Sequence, residues 1–211
     1  MLGRCVMAFV CLVPAFGADL AALDARFLSA QQLLTAGHYP QARDEFAVVW
    51  KEYERARGSH HPLTIDARIF YGQTLTMTGR PEQAMNVLKP VTAGEHRQAL
   101  VAKGSFALAL RESGQAEAAV KLLEAVTARF SVNGSDDHVH LGRFESELAV
   151  SKAYVGRLAE GERHALASLA HLDLSPPEYE RHRGSVLLSL GQIYLLMNKT
   201  GPAAQRLAEA S

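Results

Sequence analysis

The chain has 211 residues, of which 48% are hydrophobic and 21% charged, enough to build a full core and ordinary for a soluble globular protein. Lys plus Arg and Asp plus Glu both number 22, so the formal charge is zero and no basic excess draws the chain onto nucleic acid. Aromatic content is only 7%, and Ala, Leu, Glu, Gln and Arg recur at helical spacings instead of alternating, which predicts helix throughout.

Residues 1–18 differ from the rest. Arg4 is followed by an apolar run from Cys5 to Phe16, then Gly17 and Ala18, and amphipathic sequence opens at Asp19. This is the layout of a short secretory signal, with Ala15, Gly17 and Ala18 offering cleavage sites. The run is too short to span the ~30 Å of bilayer hydrocarbon, which takes about 20 helical residues. Cleavage would remove Cys5 and Cys11, the only cysteines of the chain. Neither follows the small residue of a lipoprotein site, since Arg4 and Val10 precede them. The segment predicts a periplasmic or secreted protein; the alternative is a cytoplasmic or membrane-anchored one, touching the membrane only through an uncleaved residue 1–18 segment.

From residue 19 to 211 the apolar spacing predicts helices near 20–36, 40–57, 62–78, 81–93, 95–113, 116–131, 137–155, 158–172, 176–197 and 200–210. They are joined in pairs by a short turn that recurs five times. The clear copies are Ala36-Gly37-His38-Tyr39-Pro40-Gln41-Ala42, Thr78-Gly79-Arg80-Pro81-Glu82-Gln83-Ala84 and Ser113-Gly114-Gln115-Ala116-Glu117-Ala118-Ala119, with weaker ones around Gly156 and Asn198. From Gly37 through Gly79, Gly114 and Gly156 to Asn198 the steps are 42, 35, 42 and 42 residues. Gly or Asn accepts the left-handed conformation that ends one helix, and the small residue after it lets the next helix approach. Seven residues before each turn stands another small residue, Ala30, Gly72, Ala107, Ala149 or Gly191, where the two helices of a hairpin would cross. Leu33, Leu75, Leu110 and Tyr194 supply bulk four residues before the turn, where Lys152 interrupts the fourth copy. Phe46, Leu88, Leu123 and Leu207 share one site on the second helices, with Ala165 in the fourth. A single hairpin cannot bury its own apolar face, so the units must stack.

This arrangement of small, large and turn positions resembles the tetratricopeptide repeat. The 42-residue step resembles the longer variety found in kinesin light chains and many bacterial signalling proteins. Gly58-Ser59-His60-His61-Pro62 is similar to the Gly-x-x-His-Pro signature that such repeats carry between hairpins. Gly134-Ser135-Asp136-Asp137-His138 matches it in part, with Val139 in place of proline, and His138 follows His61 in the phase of the repeat. Ser175-Pro176-Pro177-Glu178 departs from the signature but has the form of a helix start, with Ser175 as cap and Glu178 closing a capping box. The resemblance implies an all-α, right-handed superhelical solenoid of five antiparallel hairpins over residues 19–211, working as a non-enzymatic protein-interaction or scaffold module. It also implies an alternative, a detached sensory or scaffold tail of a larger kinase or transcription regulator. The last hairpin, with Leu207, has no polar capping segment before Ser211; a truncated gene, a homodimer contact through that hairpin and a frayed end all stay open.

Nine histidines invite a metal or catalytic reading, and Asp136-Asp137-His138-Val139-His140 is their densest cluster. No second ligand group at a fixed spacing accompanies it, and aspartates favour a helix N-terminus in any case. There is no Gly-rich phosphate loop, Gly-x-Ser-x-Gly elbow or pair of cysteine ligands, so no catalytic residue, metal or cofactor is expected.

Stacked hairpins line a groove with their first helices. Six residues before the turn the sequence gives Gln31, Gln73, Leu108, Val150 and Gln192. A glutamine amide both donates and accepts, which suits the backbone of a bound peptide. Phe27, Leu34, Ile69, Met77, Tyr154, Leu188 and Leu195 add apolar surface beside them. The expected partner-binding set is Gln31, Gln73, Gln192, Phe27, Ile69, Met77, Tyr154 and Leu188, each of which competes with an ordinary role in contacts between repeats. Some tetratricopeptide domains hold the C-terminal carboxylate of chaperones through Lys and Asn. The matching positions here are Phe27, Gln31, Phe70, Val101 and Ser105, so no chaperone-tail binding is expected.

Overall fold

The computed structural model describes residues 16–176, 179 and 181–210. They form an all-α solenoid of helical hairpins. α1 (Phe16–Thr35) pairs with α2 (Tyr39–Arg57), α3 (Pro62–Met77) with α4 (Pro81–Leu88), and α5 (Arg97–Glu112) with α6 (Ala116–Arg129). α7 (Ser135–Tyr154) pairs with α8 (Leu158–Leu172), and α9 (Arg181–Leu196) with α10 (Thr200–Glu209). Each second helix also packs on the next first helix, and α3 packs on α5, α5 on α7 and α7 on α9. Among the described residues no comparable packing joins one second helix to the next. The first helices therefore crowd along one side of the stack.

The turns are built as their residues require. Gly37, Gly79, Gly114, Gly156 and Asn198 all have positive φ, Asn198 at 58°. In the first turn Gly37 N–H donates to the Leu34 carbonyl at 3.2 Å and His38 N–H to that of Leu33 at 2.9 Å. The other four turns repeat this pair of bonds, from Gly79 and Arg80, Gly114 and Gln115, Gly156 and Arg157, and Asn198 and Lys199. The crossed bonds satisfy carbonyls that the end of a helix leaves open. The same residue then starts the second helix: the His38 carbonyl accepts from Ala42 N–H at 2.9 Å, with Arg80, Gln115, Arg157 and Lys199 doing likewise. Ala42, Ala84, Ala119 and Ala203 are fully buried where the second helix meets the first.

Close approach decides the crossing points. A Cβ added at Gly72 would stand 2.5 Å from Leu88 Cγ, and one at Gly191 would stand 2.8 Å from Leu207. The large residue of the second helix thus sits directly on the small residue of the first, and side-chain volume is traded across the pair. Aromatic packing fills the first repeat, where Phe27 meets Phe46 at 5.8 Å and Phe70 at 5.7 Å between ring centroids.

The connections depart from expectation at several places. α4 stops at Leu88 and a 3-10 turn, Lys89–Val91, follows, because Pro90 lacks an N–H and crowds the preceding turn. His61 caps α3, its Nδ1 accepting from Leu63 N–H at 3.2 Å. His96 caps α5 in the same way, accepting from Ala99 N–H at 3.3 Å. His138 caps nothing, because α7 already begins at Ser135 and Asp137 reaches back to Asn133 N–H at 2.8 Å. Ser175 Oγ donates to the His171 carbonyl at 3.0 Å, closing α8 instead of opening the next helix, and α9 is described from Arg181. Glu178 of the expected capping box lies outside the described residues, as do residues 1–15 of the expected signal. α1 is already helical at Phe16, ahead of the predicted start. No described helix is long and apolar enough to cross a membrane.

Candidate functional site

The inner surface is formed where the first helices pack on one another, so their free flanks are the place to look for a partner site. Each expected residue has a definite position there. Gln31 is half-buried on α1, while Gln192 is exposed on α9. Met77, Tyr154 and Leu188 are 42%, 69% and 48% exposed, large apolar groups left facing solvent. Leu195 and Leu196 extend this patch on α9.

The other three expected contacts are core residues. Phe27 is closed in by Phe46, Tyr53 and Phe70. Ile69 packs with Leu88 and Ala102 between the second and third repeats. Gln73 is 2% exposed, and its amide donates to Ser105 Oγ at 2.7 Å, linking α3 to α5. The next first helix covers these positions, and spacing along one helix does not register that cover.

Three polar groups between α5 and α7 are absent from the expected set. Arg111 Nη1 lies 2.8 Å from Glu147 Oε2, and its guanidinium sits 5.8 Å from the Tyr154 ring centroid. One turn earlier on α7, Arg143 is half-buried and has no hydrogen bond or ion pair to any described residue. Burial pulls its pKa below the ordinary guanidinium range, against the opposing charge of Glu147. His140 lies beside it, tilted against Phe130 at 5.8 Å and stacked on Phe144 at 6.3 Å. Burial first, and then the charges of Arg143 and Arg97, push this imidazole down to about 4, with Asp137 pulling the other way. Its Nδ1 is buried without a partner. A shallow dimple of about 20 Å³ runs between Gln73, Ser105, Leu108, His140, Arg143 and Phe144.

Two further histidine contacts join α7 to α8. His138 and His171 join α7 to α8 with Nδ1 atoms 2.9 Å apart, so one ring donates and the other accepts. His164 meets Glu145 at 2.6 Å on the same pair of helices. Among the described residues no three of His, Cys, Asp and Glu gather where they could hold one metal ion.

No protein-family model matches the sequence, and the search of curated proteins found no match. Solved structures do match its fold. A candidate kinesin light chain of Podosopora anserina, with nearly identical TPR-like repeats, shares 20% identity at a TM-score of 0.60, over 90% of this chain and 93% of that one. A thermophilic TPR protein of Thermus thermophilus gives 17% identity and a TM-score of 0.67, over 89% of both chains. The fold is tetratricopeptide-like. Bacillus thuringiensis PlcR, solved in complex with the peptide PapR7 and DNA, gives a TM-score of 0.70 at 12% identity, over 94% of this chain and 71% of PlcR. Within this tetratricopeptide-like frame, the dimple and Met77, Tyr154, Leu188, Leu195 and Leu196 lie on the first helices of their hairpins.

Proposed function

We propose that the protein is a non-enzymatic interaction module that holds a peptide or protein segment along the inner face of its first helices. The carrying observation is the exposure of Met77, Tyr154 and Leu188 on α3, α7 and α9. Apolar groups of this size left in water favour association. Gln31 and Gln192 flank them with amides that have no hydrogen bond to a described residue and suit a peptide backbone. Selection of displayed random linear peptides on the full chain is the test. Binders should weaken about tenfold when Tyr154 and Leu188 are both replaced by Ser, with helical circular dichroism unchanged. Binders indifferent to both residues would place the site elsewhere, and a selection without enrichment would refute a linear-peptide groove.

A second reading is supported by the likeness to PlcR, a structure that includes a peptide and DNA and of which this fold covers 71%. In that reading the chain is the sensory or scaffold part of a larger regulator. The apolar run from Cys5 to Phe16 supports export instead. Mass measurement of the expressed protein separates the two, since export predicts loss of residues up to about Ala18.

A further inference from the structure

Thirteen residues before the turn, one position on the five first helices reads Asp24, Asp66, Val101, Arg143 and Ser185. The two acids in this row have partners. Asp24 accepts from the Tyr53 hydroxyl at 2.6 Å and from Arg57 at 2.9 Å, and Asp66 accepts from the Gln98 amide at 2.9 Å. Arg143 has none among the described residues. Among the described residues, the acids near it are committed elsewhere: Glu147 to Arg111 at 2.8 Å, and Asp137 to Arg97 at 2.7 Å. A cation packed among Leu108, His140 and Phe144 with no hydrogen bond or ion pair to a described residue is costly to keep, because burial strips its water and the acid whose charge favours it, Glu147, is already paired with Arg111.

A second, independent feature stands beside it. His140 also lines the dimple, and its Nδ1 is buried with no partner among the described residues. A neutral imidazole can place its proton on that nitrogen, so it can donate to an incoming oxygen. A guanidinium fork next to one imidazole N–H fits a planar carboxylate.

We propose that this dimple binds the side-chain carboxylate of an aspartate or glutamate within a peptide lying along the inner face, held by the Arg143 fork and His140 Nδ1. The proposal rests on the groove function above and names what the groove reads. The inner face continues on both sides, to Met77 on α3 and to Leu188 and Gln192 on α9, so the bound chain passes over the dimple instead of ending in it. A single unpaired cation matches a single negative charge. A phosphate, with close to two, would stay under-neutralised.

The test uses random peptides displayed without a free C-terminus and selected on the full chain. Enriched peptides should share an Asp or Glu at one fixed place. Changing that residue to Asn or Gln should weaken binding to the wild type about tenfold, and to Arg143→Gln less than about twofold. Arg143→Lys keeps the charge but not the fork and should fall between. Arg143→Gln should melt no lower than the wild type, since it removes a buried charge that has no ion pair among the described residues. Enriched peptides with no acidic position, or with one whose loss weakens Arg143→Gln equally, would overturn the proposal and leave the groove function standing. A requirement for a free C-terminus or for phosphoserine would also overturn it. Failure to enrich any peptide would remove both.

Discussion

The Lys152 ammonium on α7 lies 2.5 Å from Glu124 of α6 and 2.6 Å from Glu160 of α8, although Lys152 is only 2% exposed. It stands where the other repeats place Leu33, Leu75, Leu110 and Tyr194. The fourth repeat thus replaces an apolar plug with a cation clamped from both neighbouring second helices. Burial is the largest single influence on its pKa and opposes the charge. The hydrogen bonds and charges of the two glutamates together outweigh burial, and the pKa rises above the ordinary lysine range. Both acids are open enough to rehydrate when the lysine is gone, at 47% and 40% side-chain exposure. Lys152→Leu should therefore change stability by less than about 1 kcal/mol in urea unfolding. Replacing both Glu124 and Glu160 by Gln strands the buried ammonium and should cost about 3–5 kcal/mol.

His140 makes stability depend on pH. Its folded pKa, about 4, lies below the ordinary 6.5, so between those values the unfolded chain binds the extra proton. Stability therefore rises with pH across that window: the contribution is complete above pH 6.5 and lost as pH falls toward 4. At about 1.4 kcal/mol per pH unit the whole contribution is about 3 kcal/mol. The difference in urea midpoint between wild type and His140→Leu, followed from neutral to acidic pH, isolates this group. The wild type should lose ground to the variant on acidification. A pH-independent difference would mean that the imidazole keeps its ordinary pKa in the fold.

The sequence located the frame because its determinants are local. A left-handed residue, the crossed bonds behind it and a small residue after it occupy a few consecutive positions, so Gly37 and Asn198 announce the same turn despite different chemistry. Exposure is not local. Gln31, Gln73 and Gln192 are equivalent in phase, yet only Gln73 meets a serine on the next first helix and disappears from the surface. Arg143 and His140 were invisible for the same reason: their significance lies in partners they lack, which only packing reveals. Gln73→Ala should accordingly destabilise the chain by about 1–3 kcal/mol, through the lost link to Ser105 and the space left behind. Gln31→Ala and Gln192→Ala should stay within about 0.5 kcal/mol. Thermal melts of the three variants separate a structural glutamine from two surface ones.

Gly104 tests whether the wall of the dimple is rigid. A Cβ there would stand 2.3 Å from Phe144 Cε1, far inside contact distance. Gly→Ala within a helix gains about 1 kcal/mol of propensity, so an open site would be stabilised by the change. Here the Phe144 ring has little room to retreat, being held edge-on by Phe130 at 5.3 Å and stacked with His140. Overpacking of this kind costs about 1–3 kcal/mol, and Gly104→Ala should therefore melt lower than the wild type. Phe144→Leu should destabilise the wild type more than it destabilises Gly104→Ala, because the smaller side chain relieves the clash. A coupling of about 1 kcal/mol in that double-mutant cycle is expected. If Gly104→Ala is instead as stable as the wild type and the coupling vanishes, the ring yields, and the wall beside Arg143 adapts to what it binds.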